Sequence, residues 1–331
     1  MRVVVATGLY PPQVGGPALY AQGVKEVFEK MGHETTLVLF SKFRRFPTGV
    51  RHFLYTLKLF AAAWRADAIF AFDTYSVGVP SAFVGSLLGI PVVLRIGGDF
   101  LWESYVERTK AIVPLSEFYR TPRDLRIKEH IAFHCVRWML HHVTLAFNTR
   151  WLFEIWKEPY QLTEENCHIV ENVIGERLGA LPAAPVIALY GRRMTLKNAE
   201  AFKEALEKAR GVGVDLSLEE GIVPQEKLLE RLRQVYAVAV PSFSDVAPNS
   251  VIDAIRCGKP FLLTKHSGYA RRFGEYGVLV DPANIDDMVR GIKELADPKV
   301  YEQLSKRIAA FKEVRTYADI AREYLALIPK S

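Results

Sequence analysis

The stretch Pro241-Ser242-Phe243-Ser244-Asp245-Val246-Ala247-Pro248-Asn249-Ser250-Val251-Ile252-Asp253-Ala254-Ile255-Arg256-Cys257-Gly258-Lys259-Pro260 decides how this chain is read. Just before it, Tyr236-Ala237-Val238-Ala239-Val240 is short and apolar, the pattern of a buried central strand. Pro248 suits the first turn of a helix, so Asp245 falls in the strand-to-helix loop and Asp253 on the helix. At such a helix start the N–H groups of Asn249 and Ser250, aligned with the helix dipole, favour a phosphate. The two carboxylates can accept hydrogen bonds from sugar and ribose hydroxyls, which makes the segment a candidate sugar-nucleotide site. Read alone, it is equally an N-cap aspartate followed by an ordinary helix-face aspartate.

A chain of 331 residues, 50% of them apolar, is long enough for one large domain or two ordinary ones with substantial cores. Cys135, Cys167 and Cys257 show no paired spacing, and the apolar run from Met1 to Ala6 is too short for a signal peptide. These features predict a reduced, cytoplasmic compartment. The uncharged run from Thr74 to Leu94 is long enough to cross a bilayer, but Pro80, Pro91 and three glycines argue against a spanning helix. It divides better into a loop, a small-residue helix near Ser81 to Leu88 and the strand Val92 to Ile96.

The formal net charge of +6 is concentrated in one place, since Ser41 to Arg65 holds Lys42, Arg44, Arg45, Arg51, Lys58 and Arg65 and no acid. Within it Val50, Phe53, Leu54, Leu57, Phe60, Ala61 and Trp64 follow helical spacing, with Arg51, Lys58 and Arg65 on another stripe. This pattern predicts a helix packed on a sheet with solvated cations; the alternative is peripheral contact with anionic lipid or an anionic acceptor, at an inner membrane face. No nucleic-acid motif accompanies the charge, so nucleic acid is not an expected partner.

The first half alternates strands and helices: Val3 to Ala6, a helix from about Pro17 to Met31, Thr35 to Leu39, the basic helix, then Ala68 to Ala71. A linker-like stretch, Gly175 to Pro185, precedes a second alternating series that begins at Val186. That series includes Val214 to Leu218 as a strand, a helix from Gln225 to Gln234, and Phe261 to Thr264 as a strand. The expected fold is therefore α/β, with two doubly wound Rossmann-like domains and ligands beyond the carboxyl ends of the strands. An interdomain cleft follows from that arrangement.

Two further motifs lie at strand ends. After the first strand, Gly8 to Gly16 ends in Gly15-Gly16 and opens into a helix, where paired glycines permit close backbone approach to an anion. At the start of the second series, the strand ending at Tyr190 runs into Gly191-Arg192-Arg193-Met194-Thr195-Leu196-Lys197-Asn198. In this order, with Cys257-Gly258-Lys259-Pro260, the chain resembles the retaining, nucleotide-sugar-dependent glycosyltransferases of family 4 type, also described as glycosyl transferases group 1. That family includes sucrose and trehalose-phosphate-type synthases and bacterial mannosyltransferases. It usually carries Pro-Ser, Glu, seven residues, Glu-Ala; here Asp245 and Asp253 stand at the same spacing, each one methylene shorter.

The resemblance implies a GT-B architecture of two facing domains. Residues 1–178 would bind the acceptor, residues 179–315 the nucleotide-sugar donor, and the last helix, within 316–331, would pack back on the first domain. It implies transfer of a hexose from a nucleoside-diphosphate sugar to a glycan or lipid-linked hydroxyl, with retention and with no metal or cofactor. Arg192 and Lys197 match the cationic pair that holds the donor diphosphate, Gly15 and Gly16 the loop that faces it. Asp245 would hold the sugar and Asp253 the ribose, while Lys265 lies in a downstream loop usually near the donor. Where relatives often carry a histidine, this chain has Arg95-Ile96-Gly97-Gly98-Asp99, so Arg95 and Asp99 are candidates for its sugar contacts or form a structural pair. Acceptor contacts are expected there and along Arg120 to Lys128. The rival readings are a non-catalytic sugar-nucleotide-binding protein and an epimerase or hydrolase on the same fold.

Other chemistries lack their residues. His130 and His134 share a helix face, but the glutamate of a zinc hydrolase motif is absent. Gly211-Val212-Gly213 lacks the third glycine of a dinucleotide fingerprint.

Overall fold

The computed structural model describes residues 1–13 and 15–329; Val14, inside the glycine loop, and Lys330 and Ser331, in the predicted C-terminal segment, lie outside the described residues. In chain order the strands and helices are β1 (Arg2–Thr7), α1 (Gly16–Lys30), β2 (Glu34–Leu39), α2 (Thr48–Ala63), β3 (Ala68–Ala71), α3 (Val79–Leu88) and β4 (Val92–Ile96). There follow α4 (Phe100–Thr109), α5 (Leu115–Phe118), α6 (Ile127–Leu140), β5 (Thr144–Phe147), α7 (Arg150–Lys157) and β6 (Cys167–Ile169). The second series is β7 (Val186–Tyr190), α8 (Ala199–Arg210), β8 (Ser217–Gly221), α9 (Gln225–Leu232), β9 (Ala237–Val240), α10 (Asn249–Arg256), β10 (Phe261–Thr264), α11 (Ala270–Phe273) and β11 (Gly277–Val280). Three helices close the chain: α12 (Ile285–Ala296), α13 (Pro298–Ala310) and α14 (Tyr317–Ala326).

The chain forms two compact units. The first comprises Met1–Leu101, Asp124–Val173 and the segment from Arg315 onward; the second comprises Trp102–Arg123 and Ile174–Val314. The break after Val173 comes a few residues before the boundary read from sequence, and residues 102–123, expected in the first domain, pack with the second. Long-range hydrogen bonds hold them there. The Glu107 carboxylate accepts from the Leu196 N–H at 3.3 Å and the Thr195 hydroxyl at 3.1 Å, and the Leu115 N–H donates to Ser244 Oγ at 2.8 Å.

In the first unit six parallel strands run in the order β2-β1-β3-β4-β5-β6. β3 is buried along its whole length, as expected of a parallel strand covered on both faces. On α1, Tyr20, Ala21, Val24 and Phe28 form the buried stripe that joins Val3, Val5 and Phe70 in the core. α14 packs against that helix: the Tyr20 and Tyr324 hydroxyls are hydrogen-bonded at 2.8 Å, and the Tyr317 ring fills the space a side chain at Gly23 would need. The run from Thr74 to Leu94 contains one turn of π-helix at Thr74–Gly78, then α3 and the start of β4, and no described helix is long and apolar enough to cross a membrane.

α2 departs from its expected packing. Its buried stripe is Tyr55, Leu59 and Ala63, whereas Val50, Phe53, Leu57 and Trp64 of the predicted inward face are exposed. The helix carries two apolar stripes, and the one bearing the large tyrosine is taken by the core.

The second unit is a five-stranded parallel sheet in the order β11-β10-β9-β7-β8. Two apolar clusters cover its faces, one around Val238, Val251, Ile255 and Leu263, the other around Ile187, Phe202, Leu262 and Ile292. β8 lies three residues later than the strand read from the sequence, because Gly213 and the residues after it remain outside the ladder. The stretch from Gly175 to Pro185 has no regular structure, but it is strapped to this unit by Leu178 N–H to Arg256 O, Leu181 N–H to Arg233 O and Ala184 N–H to Gln234 O.

Candidate functional site

In an open parallel sheet the strand order reverses at one point, and the loops leaving the two strands there diverge to leave a crevice. In the second unit this point lies between β7 and β9, since β8 follows β7 on one side and β9 follows on the other. The loop after β7 carries Gly191 to Lys197, and the loop after β9 carries Pro241 to Pro248. Two motifs singled out by sequence therefore leave the sheet on adjacent strands.

They meet in an ion pair. Lys197 Nζ lies 2.7 Å from Asp245 Oδ2, with both side chains partly accessible to solvent. The backbone of Asp245 is held by its N–H to His266 O and by Gly268 N–H to its own carbonyl. Lys197 is held by the turn that follows: Asn198 has φ 57° and ψ 31°, and its side-chain amide donates to Pro241 O and Pro282 O. Asparagine is a residue other than glycine that tolerates this left-handed conformation well, and here its amide also ties the two motif loops together.

A pocket of about 540 Å³ opens beside the pair, lined among others by Gly191, Arg192, Lys197, Gly221, Glu107 and Lys110. Gly191 has φ 153° and Gly221 φ 127°, and Gly191 N–H donates to Gly221 O at 2.8 Å, so two side-chain-free residues form part of the wall. Arg192 is exposed on the rim. Burial pushes the Glu107 carboxyl up, but hydrogen bonds from Leu196 N–H, Lys110 and Thr195 outweigh it and hold the group below the usual glutamate range. Glu107 and Lys110 escaped sequence reasoning because nothing near them in the chain signals the second unit.

α10 begins at Asn249 with Pro248 as its N-cap, so the proline sits one residue before the helix. Its N-terminus has no side-chain cap and no acidic residue in the first turn. Asn249 is exposed and Ser250 half-buried. One turn on, Asp253 is partly buried and lies 3.3 Å from Arg256 Nη1. Burial pushes its carboxyl up to about 6, and Arg256 offsets only part of that. Asp253 is thus an acid whose ionisation at neutral pH costs the fold something, a signature enriched at functional sites.

The end of the signature is structural. Gly258 adopts φ 70° and closes α10, with Gly258 N–H bonded to Ile255 O and Lys259 N–H to Ala254 O. Lys259, buried, donates to Leu181 O at 3.1 Å and so anchors the strapped linker. Lys265 is exposed and pairs with Asp281 at 2.8 Å. His266, beside it, lies 3.1 Å from Ser116 Oγ through Nδ1, and burial holds its imidazole below the usual range.

The first unit treats its candidates differently. Gly15, with φ 149°, is the N-cap of α1, and Gly16 is its first residue. Arg95 leaves the end of β4, lies 4.1 Å above the Tyr20 ring and donates to Asn172 Oδ1 at 2.9 Å. Asp99 is 1% exposed and accepts the Trp156 indole N–H at 2.7 Å. The two residues do not form a structural pair with each other; each is tied to a different part of the interior. Of the expected acceptor region, Arg120 and Arg123 fall in the second unit and Lys128 in the first. Among the described residues no group of three or more His, Cys, Asp or Glu could hold a metal ion, and His130 faces the Arg126 carbonyl.

Residues 189–311 match the model of the family described as glycosyl transferases group 1. No curated protein matches the chain by sequence. Among solved structures, sucrose-phosphate synthase from Thermosynechococcus elongatus superposes with a TM-score of 0.70 at 15% identity, over 99% of this chain and 98% of that one. Anabaena HepE, solved in complex with UDP-glucose, gives 0.68 at 14% identity over 98% of each chain. WaaG, a glycosyltransferase involved in lipopolysaccharide biosynthesis, gives 0.68 at 12% identity over 100% of each. The sequence of the second unit from β7 to the end of α13 thus carries the group 1 pattern, and the whole chain has the GT-B fold.

Proposed function

We propose that the protein transfers a hexose from a nucleoside-diphosphate sugar to a hydroxyl acceptor, with retention of configuration and without a metal or other cofactor. The observation that carries the reading is the Lys197–Asp245 pair at the β7/β9 switch point, beside a pocket with Arg192 on its rim. The group 1 match over residues 189–311 and the UDP-glucose held by the Anabaena relative support a sugar nucleotide as the donor.

Cleaving the sugar–phosphate bond loads negative charge onto the departing diphosphate. Arg192, Lys197 and the N-terminus of α10, at Asn249 and Ser250, are the groups that take up this charge. Lys197 moves part of its charge from Asp245 to the diphosphate as the donor binds. Asp245, released from part of that pairing, accepts from hydroxyls of the sugar, and Asp253 accepts from the ribose. Gly15 and Gly16, without side chains, let the backbone approach the phosphates. Lys265 is a peripheral donor contact. Arg95 and Asp99 hold the scaffold at the end of β4 rather than serving as sugar ligands, because each is already committed to an interior partner.

The acceptor is assigned to the first unit, as a glycan or lipid-linked hydroxyl, with the basic segment 41–65 in contact with an anionic membrane face. The deciding measurement is release of nucleoside diphosphate from a panel of nucleotide sugars, with and without sugar and lipid acceptors. Acceptor-dependent release is the expected result. Release independent of acceptor identifies a hydrolase or epimerase, and binding without release identifies a non-catalytic binder; either sinks the proposal.

A further inference from the structure

The helix that sequence reasoning expected to bury its aromatic stripe leaves it in solvent, and two neighbouring helices do the same. Phe53, 63% exposed, and Leu57 lie on α2, with Trp64, 64% exposed, at its end. On the adjoining α3, Phe83 and Leu87 are one turn apart and exposed at 52% and 62%. On α6, which packs against α3, Ile127, Ile131 and Trp138 continue the pattern. All three helices belong to the first unit. Scattered exposed apolar residues need no explanation, but turn-spaced aromatic and aliphatic residues on three adjacent helices form a surface that water disfavours.

Charge says what covers it. Lys42, Arg44, Arg45, Lys58 and Arg65 are exposed, and neither they nor the half-buried Arg51 form an ion pair with a described residue. α2 and α3 contain no acid, and the one carboxylate on α6, Glu129, is turned back to the Arg126 N–H as part of a capping box. A protein partner of ordinary composition offers no reason for so one-sided a field. An anionic lipid surface does, since it supplies negative charge at headgroup level and an apolar layer just beneath.

Where the three helices meet there is also a groove of about 320 Å³, whose lining includes Phe53, Thr56, Tyr75, Phe83, Cys135 and Trp138. Its walls are mostly aromatic and aliphatic, and three of those residues belong to the exposed face. We infer that α2, α3 and α6 form a bilayer-docking surface for anionic phospholipid, with the groove taking one acyl chain. The inference deepens the membrane contact in the reading above and rests on it only for the purpose of docking, delivery of a lipid-linked acceptor. Adsorption itself requires no glycosyl transfer.

The test is co-sedimentation of the full chain with vesicles of phosphatidylcholine alone and with about a third phosphatidylglycerol. Binding should appear with the anionic vesicles, weaken as salt is raised and persist in part, because screening removes the charge term and leaves the apolar one. The double variant Phe53→Ser/Phe83→Ser, at exposed positions, should bind the anionic vesicles at least roughly tenfold more weakly while its thermal unfolding and its nucleotide-sugar binding stay unchanged. Lys58→Glu should lower anionic binding and leave the salt-resistant part. Failure to bind anionic vesicles, equal binding to both vesicle types, or undiminished binding of the double variant overturns the inference. So does a dimer in solution that the double variant dissolves, which would make a second copy the occupant. Each outcome is read without an acceptor assay, so failure here leaves the glycosyl-transfer proposal standing, and failure of that proposal leaves vesicle binding intact.

Discussion

Each of the two units presents a cation and an acid from the segments that leave the carboxyl end of its sheet, and the two units use them in opposite ways. In the second, Lys197 and Asp245 face each other across the switch point, partly accessible and beside a pocket. In the first, Arg95 lies over Tyr20 and bonds Asn172, while Asp99 is sealed against Trp156. A solvent-reachable ion pair contributes little to the fold and can be exchanged for a ligand at small cost. A buried hydrogen bond to a charged group is expensive to break and stays with the fold. The difference separates a pair that can be exchanged from residues that hold the scaffold, although the sequence makes all four equally plausible site residues.

The largest expected effect tests the exchangeable side. Lys197→Ala should lower kcat/KM by about 100-fold, the size of effect found when one donor to a developing negative charge is removed. Denaturant stability should change by less than about 1 kcal/mol, because the lost pair is partly exposed. Lys197→Arg should recover part of the activity. Unchanged turnover in the alanine variant would remove Lys197 from the site and, with it, the contrast between the units.

Asp99→Ala tests the committed side. It strands the Trp156 indole N–H in the interior, which should lower unfolding free energy by about 1–3 kcal/mol in a denaturant titration. Turnover per folded molecule should be unaffected. A variant of normal stability and lost turnover would put Asp99 against the substrate after all.

Asp253 lies on neither side cleanly, since it is only partly buried and that burial pushes its carboxyl up to about 6. A folded-state pKa above the unfolded value means that the folded chain holds this proton more tightly. The associated stability is therefore fully present below about pH 4 and is lost as pH rises through about 6. Asp253→Asn removes the ionisation, so it should stabilise the protein by about 1–2 kcal/mol at pH 8 and by almost nothing at pH 4. If Asp253 accepts from the donor ribose, the same variant should bind the donor more weakly. Greater stability with unchanged donor affinity would make it an ordinary strained helix residue.

The alternation of strands and helices was legible throughout, because buried parallel strands and amphipathic helices differ in period. So was the approach of Asp245 to the Arg192–Lys197 loop, once three motifs occurred in family order. What escaped depends on contacts distant in sequence. Residues 102–123 join the second unit through Glu107 and Leu115, and neither position differs locally from any surface helix. On α2 two apolar stripes compete, and only the tertiary context selects Tyr55, Leu59 and Ala63 for the core. β8 starts late and carries Glu219 and Glu220, which bond Arg231 on α9 and Lys203 on α8, so a strand with charged side chains is stabilised by partners that a hydrophobic pattern does not reveal. The commitment of Asp99 to Trp156, distant in the chain, was equally invisible.

The smallest expected effect refines the exchangeable class. Lys265 pairs with Asp281 at 2.8 Å on an exposed surface, and the pairing raises its ammonium above the usual lysine range. It is therefore protonated across the whole neutral range, and any influence on the donor comes from charge alone. Lys265→Ala should change stability by less than about 1 kcal/mol, the range of exposed ion pairs. As a peripheral contact to a diphosphate, its loss should raise the donor KM about two- to fivefold at low salt and leave kcat unchanged, because uniform binding is lost rather than transition-state stabilisation. Raising the ionic strength from about 0.01 to 1 M shortens the screening length from roughly 30 to 3 Å, so the difference from the unaltered protein should shrink with added salt. A salt-independent loss of kcat would instead place Lys265 beside Lys197 at the leaving group, and the exchangeable cations of the second unit would then act as one cluster.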